Sequence, residues 1–186
     1  MTQALQEIFL DGRVRIIEGD ITVQAVDAIV NAANPMLYPG GGVSGAIHRA
    51  AGPELATACE AVRKARYPNG VPTGEAVATP GFDLSARHVI HVVGPRWGQH
   101  GGEEAALLAA CYRNALCLAR ELGAASIAFP AISTGIYGYP PEEAAAVASA
   151  TIREDLLAHD QPLEVRIVMH GERALRLFIE HARFAA

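Results

Sequence analysis

Apolar and polar positions along the chain change their period repeatedly, and those changes mark out the elements. Residues 7–10 read as a short strand, Asp11-Gly12 as a hairpin turn, and 14–17 as the next strand. Gly19-Asp20-Ile21-Thr22 follows, then a short turn to Asp27. Residues 28–31 open on an apolar run too short for a helix and predict a strand buried on both faces. Residues 44–51 predict a helix punctuated by Gly52-Pro53, and 54–66 a second helix with Leu55, Ala58, Cys59 and Val62 on one stripe. A loop rich in Pro and Gly covers 67–74, and strands are expected at 75–79 and 87–93 around a Pro80-Gly81 turn. The long Ala/Leu-rich helix of 103–122 stops at Gly123. Residues 126–130 are a buried strand. Pro140-Pro141-Glu142-Glu143 opens a helix reaching about Ala158, with Pro in its first turn and acids at its positive end. Residues 164–169 are the last strand and 172–182 the last helix.

Strands that alternate with helices predict an α/β domain whose mostly parallel sheet is covered on both faces. No repeat, linker or low-complexity segment interrupts the 186 residues, so a single domain spanning 1–186 is expected.

Composition narrows the possible partners. Half of the residues are hydrophobic and 19% are charged, which supports a packed core and argues against disorder. The net charge of −5 offers no basic field for duplex nucleic acid or an anionic membrane. A polyanion would have to be gripped locally, by backbone N–H groups. Three cysteines, Cys59, Cys111 and Cys117, have no paired spacing; Cys111 and Cys117 lie in an apolar helical pattern, so buried thiols there and a reducing cytoplasm are expected. Residues 1–10 lack the pattern of a signal peptide, and no apolar run approaches the ~20 residues of a membrane span. No His/Cys/Asp cluster has metal spacing, and neither a metal nor a cofactor is expected.

The chemistry gathers in two loops. Asn31-Ala32-Ala33-Asn34 leaves a buried strand and runs through Gly40-Gly41-Gly42-Val43-Ser44-Gly45 into a helix. Successive glycines can leave backbone N–H groups bare, and a helix N-terminus adds more of them with a partial positive charge. Phosphate suits such a place. Ser133-Thr134-Gly135-Ile136-Tyr137-Gly138 likewise leaves a buried strand and precedes a helix. In a parallel sheet both loops lie at the C-terminal edge, and two of them facing each other could hold a diphosphate. Neither matches the Walker A or the dinucleotide Gly-x-Gly-x-x-Gly spacing. Asp20 could cap the turn after it or face a ligand at this same edge. His91 and His48 read as structural histidines, without a nucleophile signature beside them. His88 and His100 suggest no role.

In order and spacing, Gly19 to Thr22, Asn31 to Asn34, Gly40 to Val43, Ala46 to Gly52, Ile90 to Pro95 and Phe129 to Gly138 resemble the macro domain family along nearly the whole chain. The resemblance implies a three-layer α/β/α sandwich with a mixed sheet of six or seven strands. It also implies a cleft for ADP-ribose, and often hydrolysis of ADP-ribose linkages. Carried over, Asp20 would accept from the adenine amino group with Ile21 beside the ring. Asn31 and Asn34 would lie near the distal ribose. Gly41, Gly42 and Val43 would give N–H groups to one phosphate, and Ser133, Thr134, Gly135 and Ile136 to the other. Tyr137 would pack over the distal ribose, or be a core residue with a hydroxyl tip. His170 would be the match for an aromatic on the adenine, or a solvated residue at a helix entry.

The chain is most similar to the hydrolytic MacroD-type members, which usually carry Asp where this chain has Ser44. A serine hydroxyl can orient water but is a poor base at neutral pH. Asn34, Ser44 and Gly42 are the candidates for positioning water and substrate, with a substrate phosphate oxygen able to activate the water. Two functions follow: hydrolysis of mono-ADP-ribosyl-protein or O-acetyl-ADP-ribose, and a module that reads ADP-ribose without turnover.

Overall fold

The computed structural model describes residues 6–162 and 164–184. Residues 1–5, half of the stretch read for a leader, lie outside the described residues. The seven strands are β1 (Gln6–Phe9), β2 (Val14–Glu18), β3 (Ala28–Ala32), β4 (Ala76–Pro80), β5 (His88–Val92), β6 (Ser126–Phe129) and β7 (Glu164–Met169). The helices are α1 (Gly42–Ala51), α2 (Pro53–Arg66), α3 (Glu104–Glu121), α4 (Pro141–Ala158) and α5 (Glu172–His181). The strands form one sheet in the order β1-β2-β7-β6-β3-β5-β4. Its five central strands, β2, β7, β6, β3 and β5, are parallel, and β1 and β4 pair antiparallel at the two edges. This is the mixed, mostly parallel sandwich expected from the sequence.

Strand alternation divides the core between the two faces. Ala28 and Val30 of β3 join Ile90, Val92, Ile127 and Phe129 on the face covered by α3, α4 and α5. Ile29 joins Val77, Val89 and Ala128 on the face covered by α1 and α2, where Ile47, Leu55 and Cys59 close the layer. Each fully buried aliphatic or aromatic side chain contributes about 1.5–3 kcal/mol.

The N-terminal edge of the sheet is locked by one carboxylate. Asp27 Oδ2 accepts from the Ala125 and Ser126 N–H groups at 2.8 and 3.1 Å and from Ser126 Oγ at 3.2 Å. Its Oδ1 accepts from Arg87 at 2.8 Å, and its own carbonyl accepts from the His88 N–H at 3.1 Å. One side chain thus ties together the starts of β3, β5 and β6.

Several boundaries differ from the sequence reading. Leu10 and Asp11 take positive φ values of 51° and 53°. Leu10 therefore leaves the strand, and Leu10–Gly12 forms a 3-10 turn in place of a two-residue hairpin. Helix α1 begins at Gly42, two residues before Ser44, because Gly41 in extended conformation serves as its N-cap. Helix α2 starts at Pro53, whose missing N–H costs nothing in a first turn. No helix among the described residues is long and apolar enough to cross a membrane.

Candidate ligand cleft

A cleft of about 1220 Å³ opens at the C-terminal edge of the sheet. It brings together Asp20, Ile21, Gly42, Val43, Thr134, Gly135 and His170, residues far apart in sequence. A smaller hollow of about 510 Å³ lies between the start of α4 and α5, lined mainly by exposed charged residues such as Glu172 and Arg176, which pair with each other.

The first wall is the N-terminus of α1. Its N-cap is a glycine with no side chain to satisfy the free N–H groups, and its first turn contains no acid. The first N–H groups of a helix have no carbonyl one turn earlier; Gly45, in the next turn, donates to Gly41 O at 3.3 Å. Gly42 holds φ at +56°, where a side chain would be strained. Gly45 must also be small, because a Cβ there would strike the Gly40 carbonyl.

The second wall is a turn that bonds to itself. Thr134 Oγ1 donates to Ala131 O at 3.0 Å, Gly138 N–H to Gly135 O at 2.9 Å and Tyr139 N–H to Ser133 O at 3.0 Å. Ser133 is buried at a positive φ of 67°, and its Oγ has no partner. A neighbouring loop supports the turn. Trp97 N–H donates to Tyr137 O at 2.9 Å, the Arg96 guanidinium lies 4.5 Å from the centre of the Tyr137 ring, and the Trp97 ring packs edge-on against Tyr139. Gly94 lies so close beneath that a Cβ would meet Ser133 Oγ. Ile136 projects from the turn, 93% exposed.

At one end of the cleft, Asp20 Oδ1 accepts from Thr22 N–H and Thr22 Oγ1, each at 2.8 Å, and caps the Ile21–Val23 turn. These Thr22 bonds hold its carboxyl below the ordinary value, with a smaller push from His170. Capping and ligand contact are compatible, because Asp20 lines the cleft and Oδ2 makes no hydrogen bond among the described residues. His170 is exposed at the end of β7.

The remaining candidates lie outside the cleft lining. Asn34 closes a turn, with Nδ2 donating to Tyr38 O at 2.7 Å and Oδ1 accepting from Tyr38 N–H at 3.1 Å. One amide hydrogen and one acceptor lone pair are left over. A Cβ placed on Gly40 would sit 3.8 Å from both Asn34 Nδ2 and Ser44 Oγ, so both side chains lie around Gly40. Ser44 and His48 share the buried face of α1, one turn apart, and each has a buried polar atom without a partner. Burial holds the His48 ring below its ordinary value. Asn31 is buried against His91. Burial also pushes the Cys59 and Cys111 thiols up to about 11 and about 12, which keeps them protonated, whereas Cys117, expected to be buried, is exposed on the outer face of α3. Among the described residues, no group of three His, Cys, Asp or Glu side chains could hold a metal ion.

Sequence reading missed Gly94, Arg96, Trp97 and the His91–Asn31 contact. It also missed the apolar floor supplied by Val168, Met169 and Phe178. The signal for Gly94 was present, since a glycine at the end of a strand often marks a close backbone approach.

Fold and cleft together define an α/β sandwich with a ligand site at its strand ends. The macro domain family model matches residues 30–148, and the chain belongs to the macro domain family. It is 58% identical over 140 residues to a macro domain-containing protein of Ralstonia nicotianae, covering 75% of this chain and 78% of that one. It is 53% identical to an O-acetyl-ADP-ribose deacetylase of Citrobacter rodentium, over 91% of this chain and 94% of that one. Among solved structures, the Oceanobacillus iheyensis macrodomain with ADP matches with a TM-score of 0.90 at 46% identity, covering 96% of this chain and 94% of that chain. The Trypanosoma brucei macrodomain in complex with ADP-ribose matches with a TM-score of 0.82 at 38% identity, covering 91% and 68%.

Proposed function

We propose that this protein binds ADP-ribose in the cleft at the strand ends and hydrolyses ADP-ribose linkages, those of mono-ADP-ribosyl-protein or of O-acetyl-ADP-ribose, in the cytoplasm. The observation that carries the reading is the open N-terminus of α1, with neither capping side chain nor acid in its first turn, at a cleft also walled by turn 133–138. Uncapped N–H groups at a positive helix end favour an anion, and two such walls suit a diphosphate.

In this arrangement Gly41, Gly42 and Val43 donate to one phosphate, and Ser133, Thr134, Gly135 and Ile136 hold the other. Asp20 accepts from the adenine amino group through Oδ2, with Ile21 and His170 beside the ring. Asn31, Asn34 and Tyr137 take the distal ribose. Hydrolysis adds water at the bond between the distal ribose and its acyl group, giving ADP-ribose and a free carboxylic acid. Ser44 orients that water with the remaining hydrogen-bonding capacity of Asn34, and a phosphate oxygen of the substrate takes the proton. The deacetylase name of the Citrobacter relative supports turnover.

Ser44 favours a second reading, a module that reads ADP-ribose and leaves it intact, since a hydroxyl is a weak base. Calorimetry with ADP-ribose tests the site, and absence of heat with folded protein removes both readings. Incubation with a mono-ADP-ribosylated target, followed by release of label, separates them. Release supports the hydrolase; none over hours at high protein concentration leaves the reader.

A further inference from the structure

The cleft and the smaller hollow share a border. Glu142, Arg173 and Leu177 line both, so the cleft of about 1220 Å³ opens over these three side chains into the hollow of about 510 Å³. Glu142 is the second residue of α4 and Arg173 the second of α5, two helices that pack against each other. Both side chains are exposed. Arg173 is the only arginine or lysine that lines the cleft among the described residues. Its neighbour Glu172 is paired with Arg176 at 2.6 Å. Neither Glu142 nor Arg173 makes a side-chain hydrogen bond or an ion pair among the described residues.

The border has a definite place along the cleft. Glu142 follows the turn 133–138 into α4, and Arg173 follows His170 into α5. One side of the border thus belongs to the wall read as holding a phosphate, and the other to the end where Asp20 and His170 meet the base. In ADP-ribose the group between base and diphosphate is the adenosine ribose. Its 2′ and 3′ hydroxyls lie on the edge of the ring that carries neither neighbour, and are left to meet the border.

A vicinal diol both donates and accepts. A carboxylate can only accept and a guanidinium can only donate, so Glu142 and Arg173 together offer what a diol needs. A phosphate on that ribose would gain Arg173 but face Glu142, with Glu180 further along the hollow, and the charge at the border does not favour a dianion.

We infer that Glu142 and Arg173 are specificity-determining residues for the adenosine half of the ligand: they grip the free 2′,3′-diol of its ribose, Glu142 as acceptor and Arg173 as donor, and so select ribonucleotides whose diol is unsubstituted. The inference rests on the reading that ADP-ribose occupies the cleft, and it involves neither the distal ribose nor the reaction.

Calorimetry compares ADP with 2′-deoxy-ADP and 3′-deoxy-ADP, each lacking one hydroxyl, for wild type, Glu142→Ala and Arg173→Ala. The wild type is expected to bind each deoxy analogue about fivefold more weakly than ADP, as for one hydrogen bond in contact with solvent. Each variant is expected to bind ADP about fivefold more weakly and to lose the penalty for at least one analogue. Wild-type protein that binds all three alike, or variants that keep both penalties in full, overturn the inference; the wild-type comparison needs no variant. ADP-ribose carrying a 2′-phosphate is expected to bind wild type more weakly than ADP-ribose, and Glu142→Ala to narrow that gap. Tighter binding of the phosphorylated ligand would mark a phosphate site in place of a diol site and overturn the inference as well. No heat from wild type with ADP-ribose defeats the proposed function and this inference together; heat with ADP-ribose and ADP, without discrimination among the ADP analogues, defeats this inference alone.

Discussion

The two loops that read alike in sequence are built differently. Gly40 to Gly45 becomes the start of a ten-residue helix and keeps its first N–H groups open. Residues 133–138 form a turn, closed by Gly138 N–H on Gly135 O and Tyr139 N–H on Ser133 O, and α4 begins only at Pro141. The first therefore carries a helix dipole and the second does not. Their foundations differ too. Near the first lies a buried polar ladder, Asn31–His91–Thr79, whereas the second rests on the close approach of Gly94. Glycine and small hydroxyl residues thus describe a loop's permissiveness, and what surrounds it decides which kind of anion wall it becomes.

The largest expected effect lies in the buried ladder. The folded value of His91 is about 3 against an ordinary 6.5, so its stabilising effect is complete above pH 6.5 and is lost as pH falls towards 3. The full effect is roughly 4 to 5 kcal/mol. Urea unfolding at pH 7 and pH 4 is expected to show a steep loss that His91→Gln flattens; parallel losses in both proteins would remove the contrast between the foundations. Next is Ser44→Asp, which places a carboxylate beside the first loop. Label release is expected to rise on the order of 100-fold, with a smaller change in ADP-ribose affinity. A drop in turnover would mean that the hydroxyl is the working group.

Gly45→Ala and Gly94→Ala press on one loop each, through the Gly40 carbonyl and Ser133 Oγ. Each is expected to weaken ADP-ribose about tenfold, with a lower melting temperature. AMP, with a single phosphate, should lose affinity in one variant only; equal AMP losses would merge the two loops into one site. The smallest effect is Asp20→Ala, about fivefold on ADP-ribose and nothing on ribose 5-phosphate, with about 1 kcal/mol of stability lost with the cap. Equal losses for the two ligands would leave Asp20 as a cap alone.

Much of this was readable in the sequence because period and punctuation act locally. The apolar run of Ala28 to Val30 and the Pro/Gly stops at α2 and α4 carry their own geometry. The parallel order was legible as a class, but not the position of β7 between β2 and β6, which depends on packing among distant segments. That Asp20, Gly42 and Thr134 would line one cleft was legible because their loops leave strand ends. The surroundings of His91 were not, because its partners Asn31, Thr79 and Cys59 come from three other elements. Asn34 illustrates a similar limit: the type of side chain was legible, but its engagement with the Tyr38 backbone was not.

The Asp27 clamp has a bearing on how such a molecule can be altered. It fastens β3, β5 and β6 at the edge opposite the cleft, through one carboxylate that takes the Arg87 guanidinium, the Ser126 hydroxyl and two backbone N–H groups. The hinge pins of the scaffold are thus remote from its business end. Loop grafts, insertions and swaps at the strand tips can be made without redrawing the sheet, so a designer who leaves Asp27, Arg87 and Ser126 untouched can treat the cleft rim as an exchangeable part.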